Sequence, residues 1–132
     1  LKVGFNPLRD NEDYDILFTS WRKDINNILG ISDIICLTSL NEGTPVSIIE
    51  AMASNTVCIS TDVGGVSDII SHSYDGYISN RSNSDYSQLL LKLIENDIIR
   101  KKFSRRGYNK VINRYNYDIL VRNIEKLYDK LN

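Results

Sequence analysis

Apolar residues fall in short runs along the first part of the chain and at helical spacing in the last part. Leu1-Lys2-Val3-Gly4-Phe5 reads as a short strand ended by Asn6-Pro7, and Arg9 to Asp15 reads as a polar, acidic loop. Asp15–Thr19 is a second expected strand, with Ser20-Trp21-Arg22-Lys23 leaving its C-terminal end. Asp24 stands where a short helix needs a cap, and Ile25, Ile28 and Leu29 would form the inner face of that helix. Ile34-Ile35-Cys36-Leu37-Thr38 is a continuous apolar run, the pattern of a strand covered on both faces. Thr44–Ser54 reads as a helix, apolar at Val46, Ile48, Ile49, Ala51, Met52 and Ala53. Ser47, Glu50 and Ser54 make one polar stripe along it, Pro45 suits its first position, and Thr44 can cap its free N–H groups. Asn55 is expected to leave that helix at positive φ.

Val57–Thr61 is the next buried strand, Asp62–Gly65 turns out of it, and Val66–Ser71 reads as a short helix. Tyr74-Asp75-Gly76 turns into a short final strand at Tyr77-Ile78. From Asp85 onward the pattern is helical. Leu89, Leu90, Leu93 and Ile94 make one face, and Ile98, Ile99 and Phe103 continue it in a second helix after Asn96-Asp97, with Gly107 either inside it or breaking it. Asn116 is placed to cap a last helix with Ile119, Leu120, Ile124, Leu127 and Leu131 at core spacing. Strands alternating with helices predict an α/β fold, a Rossmann-like parallel sheet with flanking helices. The expected organisation is a single domain over residues 1–132, with C-terminal helices over 85–132.

Composition narrows the function classes. A chain of 132 residues with a formal charge of −1 is an ordinary globular domain and not a general nucleic-acid binder. Cys36 and Cys58 both lie in apolar runs and read first as buried, reduced thiols, which fits a cytosolic setting, with a disulfide or ligand pair as the alternative. His72 is the one histidine, so no histidine cluster for a metal can be assembled. No apolar run approaches the roughly 20 residues of a membrane span. Lys101, Lys102, Arg105, Arg106 and Lys110 gather on the helical part; they read as a solvated face or as a contact for an anionic partner or membrane surface.

The candidate chemistry lies in Ser39–Glu50. In a parallel sheet, ligands bind beyond the carboxyl ends of the strands, where three loops would meet: Ser20-Trp21-Arg22, Asn41 to Pro45, and Asp62 to Gly65. A helix N-terminus there favours an anion, and the two glycines would permit close approach. Glu50 suits a diol held against its helix, and Glu42 a group nearer the strand ends. That is the geometry of a nucleotide with its ribose on the helix and its phosphates at the helix start. The alternative is structural: Glu50 ion-paired with a lysine or arginine, and Glu42 an ordinary surface turn residue.

The same residues carry a resemblance. Glu42-Gly43-Thr44-Pro45-Val46-Ser47-Ile48-Ile49-Glu50 resembles the E-x7-E motif of retaining GT-B glycosyltransferases, family 4 type (group 1). Phe18 to Ile25 is similar to the family's strand-Gly-aromatic-Arg-x-Asp-Ile segment, Ser60–Val66 to its T-D-x-G-G loop, and Tyr74–Ile78 to its N-G-hydrophobic strand. Arg114–Tyr117 through Leu127-Tyr128 is similar to its final helices. The resemblance covers nearly the whole chain and implies the C-terminal half of a GT-B fold.

The resemblance also implies roles. Glu50 would bond the ribose hydroxyls of a nucleotide-diphosphate sugar, and Glu42, as the catalytic residue, would face the donor sugar. The backbone of Gly43, Thr44, Pro45, Val46 and Ser47 would contact sugar and diphosphate, and Ser20, Trp21 and Arg22 would lie by the base. A surface or core aromatic is an equal reading of Trp21. Transfer to a hydroxyl acceptor, a glycan or lipid, would proceed with retention and without a metal or other cofactor. The implied setting is glycan, capsule or lipopolysaccharide synthesis in the cytoplasm, with peripheral contact at the inner face of the membrane. A non-catalytic nucleotide-binding or scaffold domain of the same fold is the alternative.

Several positions depart from the family pattern. Ser20 and Asn55 replace glycines, Val57 a proline, Asp68 a Glu, and Thr44 a bulkier residue. The family's basic Arg and Lys pair falls upstream of Leu1. The chain is therefore expected to be truncated on its N-terminal side, a donor half-site lacking the N-terminal GT-B domain and inactive alone.

Overall fold

The computed structural model describes residues 17–131, and the strand expected at Leu1–Phe5 and the loop to Asp15 lie outside them. The described chain runs α1 (Ile25–Ile31), β1 (Ile34–Leu37), α2 (Val46–Ala53), β2 (Val57–Thr61), α3 (Val66–Ile69), β3 (Gly76–Ser79), α4 (Asn83–Glu95), α5 (Asp97–Arg114) and α6 (Tyr117–Asp129). The three strands form one parallel sheet in the order β1-β2-β3, with Ile35 opposite Cys58 and Ile59 opposite Tyr77. The parallel α/β architecture expected from the pattern is present.

Strand alternation divides the core into two layers. Cys58 points to one face, where Leu29, Ile48, Ala51, Met52, Val66 and Ile69 pack. Val57 and Ile59 point to the other, against Tyr77, Leu89, Leu93 and Phe103. Helix α5 serves both layers, Phe103 in the second and Val111 in the first. Gly107 is internal to α5 and buried; a Cβ there would stand 3.1 Å from Met52 Cγ, so its absence sets how closely α5 lies on α2. Burying a side chain such as Met52 contributes about 1.5–3 kcal/mol.

Several expectations need correction. Leu17, Phe18 and Thr19 form no strand, and Leu17 and Phe18 are exposed. A β-branched or aromatic run becomes a strand only when a neighbour completes its hydrogen-bond ladder, and none does so among the described residues. β2 is buried throughout Val57–Ser60, but β1, at the edge of the described sheet, is only half-buried and its Cys36 is exposed. Cys58 is the buried thiol of the two, and burial pushes it up to about 12. In register, Cys36 faces the layer of Ile59 and Cys58 the opposite one, which keeps the two thiols apart.

The caps differ as well. Asp24 occupies the N-cap of α1, but its carboxylate is taken by Arg22 and caps nothing. α2 starts at Val46 with Pro45 at the cap position, and no side chain, Thr44 included, caps it. α3 ends at Ile69 because Ile70 turns extended, and α4 begins at Asn83, two residues ahead of Asp85. Asn96 and Asn116 cap α5 and α6 through Ile99 N–H and Asp118 N–H. α6 has the expected apolar spacing, yet it buries no residue; Leu120, Ile124, Leu127 and Leu131 are all exposed.

The basic cluster divides. Lys101 is solvated beside Asp97, whereas Arg106 lies 4.1 Å over the Tyr74 ring and Lys110 reaches into the fold to pair with the fully buried Asp75. Lys110 Nζ also donates to the Ile69 carbonyl at 2.8 Å, and Asp75 accepts from Ser71 N–H at 2.7 Å. A turn aspartate and a helix lysine thus fasten α5 to the approach to β3.

Candidate functional site

The C-terminal ends of β1 and β2 deliver two loops that interlock. Asn41 to Pro45 leaves β1 and starts α2; Asp62 to Gly65 leaves β2 and starts α3. Gly65 N–H donates to the Gly43 carbonyl at 3.0 Å, and Thr61 Oγ1 donates to the Ser39 carbonyl at 2.8 Å. Gly64 has φ +49°, and a Cβ there would stand 1.6 Å from the Glu42 carbonyl oxygen. A Cβ on Gly65 would stand 2.7 Å from the Gly43 carbonyl. The sequence pattern suggested that these glycines admit a ligand. In the structure what they admit is the backbone of the Glu42 turn.

Glu42 is half-buried in that turn, and the N-terminus of α2 opens directly behind it. With Pro45 as N-cap and no capping side chain, the Val46 and Ser47 amides have no hydrogen-bond partner among the described residues, whereas Ile48 N–H donates to the Pro45 carbonyl, and the helix ends there with partial positive charge. Along α2, Ile48, Ala51 and Met52 are buried while Val46, Ser47 and Glu50 are exposed, so the predicted polar stripe faces outward. Glu50 lines an open depression of about 200 Å³ with Ile25, Asn26, Leu29, Ala53 and Ser54, between α1 and α2. Among the described residues neither Glu42 nor Glu50 has an ion-pair partner. The structural alternative, Glu50 held by a lysine or arginine, is not realised there.

Among the described residues, Ser20, Trp21 and Arg22 make no hydrogen bond or ion pair with either interlocked loop. Trp21 is 80% exposed, and Lys23 lies 5.9 Å from its ring. The Arg22 guanidinium bonds both Asp24 oxygens, at 2.8 and 2.6 Å, and holds that carboxyl below the usual carboxylate range. Ser20 has φ 55°, which explains why glycine is the residue the family pattern leads one to expect there.

Sequence reasoning missed a third element at this end of the sheet. Arg81, just before α4, has φ 71°, and its Nε–H donates to the Asp62 carbonyl at 2.8 Å. Arg81 lines a cavity of about 250 Å³ with Ser39, Leu40, Thr61, Ser82 and Tyr86. Nothing in the local sequence marks Arg81, since a left-handed arginine carries no compositional signal. Among the described residues no group of three or more His, Cys, Asp or Glu is placed to hold a metal, and no helix is long and apolar enough to cross a membrane.

The sheet has an uncapped helix start at its C-terminal end and two glutamates with no ion-pair partner among the described residues. Residues 9–110 match the family of glycosyl transferases group 1. The chain belongs to that family. It is 31% identical, over 114 residues, to the UDP-Gal:alpha-D-GlcNAc-diphosphoundecaprenol alpha-1,3-galactosyltransferase of Escherichia coli, an alignment covering 86% of the chain and 29% of that protein. It is 32% identical, over 111 residues, to the N,N'-diacetylbacillosaminyl-diphospho-undecaprenol alpha-1,3-N-acetylgalactosaminyltransferase of Campylobacter jejuni, covering 83% of the chain and 29% of that protein. Among solved structures it is similar to the C-terminal domain of a group 1 glycosyl transferase, LpcC, of Francisella tularensis. That match has a TM-score of 0.68 and 29% identity, over 77% of the chain and 53% of the solved one. The chain spans about three-tenths of the length of the two curated relatives. Its fold is that of the C-terminal half of a GT-B glycosyltransferase.

Proposed function

We propose that this chain is the donor-binding half of a glycosyltransferase. The full-length protein would transfer a sugar from a nucleotide-diphosphate donor to a hydroxyl acceptor on a glycan or lipid, in polysaccharide synthesis. The observation that carries the reading is the uncapped start of α2 with Glu50 on its outward stripe and Glu42 in the turn before it. Glu50 accepts bonds from the two ribose hydroxyls, each charged contact worth about 1.5–3 kcal/mol. The backbone from Gly43 to Ser47, with every N–H but that of Pro45 free to donate, receives the diphosphate, whose charge grows as the sugar leaves; oriented N–H groups oppose that charge with no need of a metal. Glu42 faces the donor sugar, and Ser20, Trp21 and Arg22 border the base. Transfer proceeds with retention, and the acceptor-binding groups come from the N-terminal GT-B domain of the full-length protein.

UDP is the first donor nucleotide to test, because the E. coli relative is named for UDP-Gal. Both curated relatives are named for acceptors built on diphospho-undecaprenol, which supports a lipid-linked acceptor. Calorimetric titration of the full-length protein with UDP, GDP and ADP, beside Glu50→Ala, tests the reading. Saturable binding of one nucleotide, weakened about tenfold or more by the substitution, is expected. Binding that ignores the substitution, or no binding at all, overturns it. Binding without transfer to any hydroxyl acceptor leaves a non-catalytic nucleotide-binding domain.

A further inference from the structure

We propose that Arg81 is a positioning residue for Glu42, acting through the Asp62–Gly65 loop. The inference rests on the reading of Glu42 as the group that faces the donor sugar. Three observations form one line of contact. Arg81 Nε–H holds the Asp62 carbonyl at 2.8 Å, while Asp62 N–H donates to the Ser79 carbonyl at 2.8 Å, so the loop is gripped through both peptide units that flank Asp62. Two residues on, Gly64 and Gly65 lie against the Glu42 and Gly43 carbonyls, closer than any side chain permits. The Gly65 N–H to Gly43 carbonyl bond closes the brace at 3.0 Å. What Arg81 holds, Glu42 rests on.

Arg81 itself has little reason to be arginine except this contact. It is exposed, and its bond to Asp62 is the only side-chain hydrogen bond or ion pair it makes among the described residues. It sits at φ 71°, a conformation that glycine adopts freely and an L side chain resists. Its backbone is pinned there by Ser82 N–H to Asn80 Oδ1 and Asn80 N–H to Asp85 Oδ2, each 3.0 Å. A strained position occupied by a long side chain, aimed at one loop carbonyl beside the candidate catalytic turn, marks that side chain's task.

The brace touches the turn and leaves the outward stripe of α2 alone. Loosening it shifts Glu42 relative to a donor still held by Glu50, and small misplacements of a reacting group cost rate more than affinity. Arg81→Gly is the informative variant, because glycine relieves the strain and deletes only the side chain; Arg81→Lys keeps a cationic donor. In the full-length protein, Arg81→Gly is expected to speed hydrogen–deuterium exchange about tenfold in peptides covering Asn41–Val46 and Thr61–Val66, with Val57–Ser60 unchanged. It should lower kcat roughly tenfold with donor KM within about threefold, and Arg81→Lys should recover part of both. Exchange and kcat equal to wild type in Arg81→Gly would overturn the proposal. So would exchange rising across the whole sheet with a lower Tm, which makes Arg81 merely structural. Local loosening in a wild-type background that transfers no sugar keeps the brace and removes the donor reading of Glu42.

Discussion

Two parts of the candidate site are built in opposite ways. The Asn41–Pro45 and Asp62–Gly65 loops are joined backbone to backbone, with no room for a Cβ between them. Among the described residues, the one ion pair of Ser20–Arg22 is the exposed one between Arg22 and Asp24, two residues apart, and its tryptophan is exposed. The first arrangement leaves the two loops little freedom to move apart, which on the proposed reading is what a reacting centre and a diphosphate cradle require. The second leaves side chains free to settle, which on the proposed reading suits a base whose identity differs between donors. The contrast teaches that a site can be stiff where charge develops and loose where it recognises.

Substitutions separate the two parts. Gly64→Ala should have the largest effect. Its Cβ meets the Glu42 carbonyl at positive φ, and a loss of about 3 kcal/mol in urea unfolding is expected, together with nucleotide binding. Wild-type stability in that variant would mean the two loops part easily. Glu50→Ala comes next, with nucleotide affinity down about tenfold and stability within about 0.5 kcal/mol, because Glu50 is exposed and makes no ion pair among the described residues.

Trp21→Ala should weaken nucleotide binding only a few-fold, by roughly 0.5–1 kcal/mol, and leave Tm unchanged. A loss equal to that of Glu50→Ala would show that the loose loop closes tightly on the ligand. The smallest effect belongs to Asp24. Its folded value is depressed by Arg22, so unfolding takes up protons. Any stabilisation is present above the ordinary carboxylate range and fades as pH falls through the folded value. The pair is exposed, so Asp24→Asn and wild type should melt together at neutral pH, with no pH-dependent gap. A Tm gap at pH 7 that closes in acid would show that the loop is better anchored than its exposure suggests.

Another pair of regions shows where sequence pattern and burial part company. α6 carries apolar residues at regular core spacing, yet none is buried among the described residues. α5 has a diffuse, charge-rich pattern, yet it buries Phe103, Ser104, Gly107 and Val111 and links both layers of the core. Periodicity reports which face of a helix prefers to leave water; it does not report whether a partner is there to receive it. β2 was legible over Val57–Thr61 because a central strand writes its burial into every residue. The Asp15–Thr19 run has similar composition and forms no strand over Leu17–Thr19, since a ladder needs a neighbour as well as a propensity.

By itself the sequence determined the order of strands and helices from Ile34 onward, the polar stripe of α2 with Glu50 on it, the left-handed exit at Asn55 and the family resemblance. These follow from local periodicity, turn chemistry and the spacing of neighbouring residues. Tertiary structure alone decided that Gly64 and Gly65 receive the Glu42 turn, that Arg81 grips their loop at Asp62, that Asp75 is buried against Lys110, and that Thr44 does not cap α2. Each of the first three joins residues about 20 or more positions apart. Which carbonyl ends up beside which glycine depends on how parallel strands bring their ends together, and no local pattern carries that information.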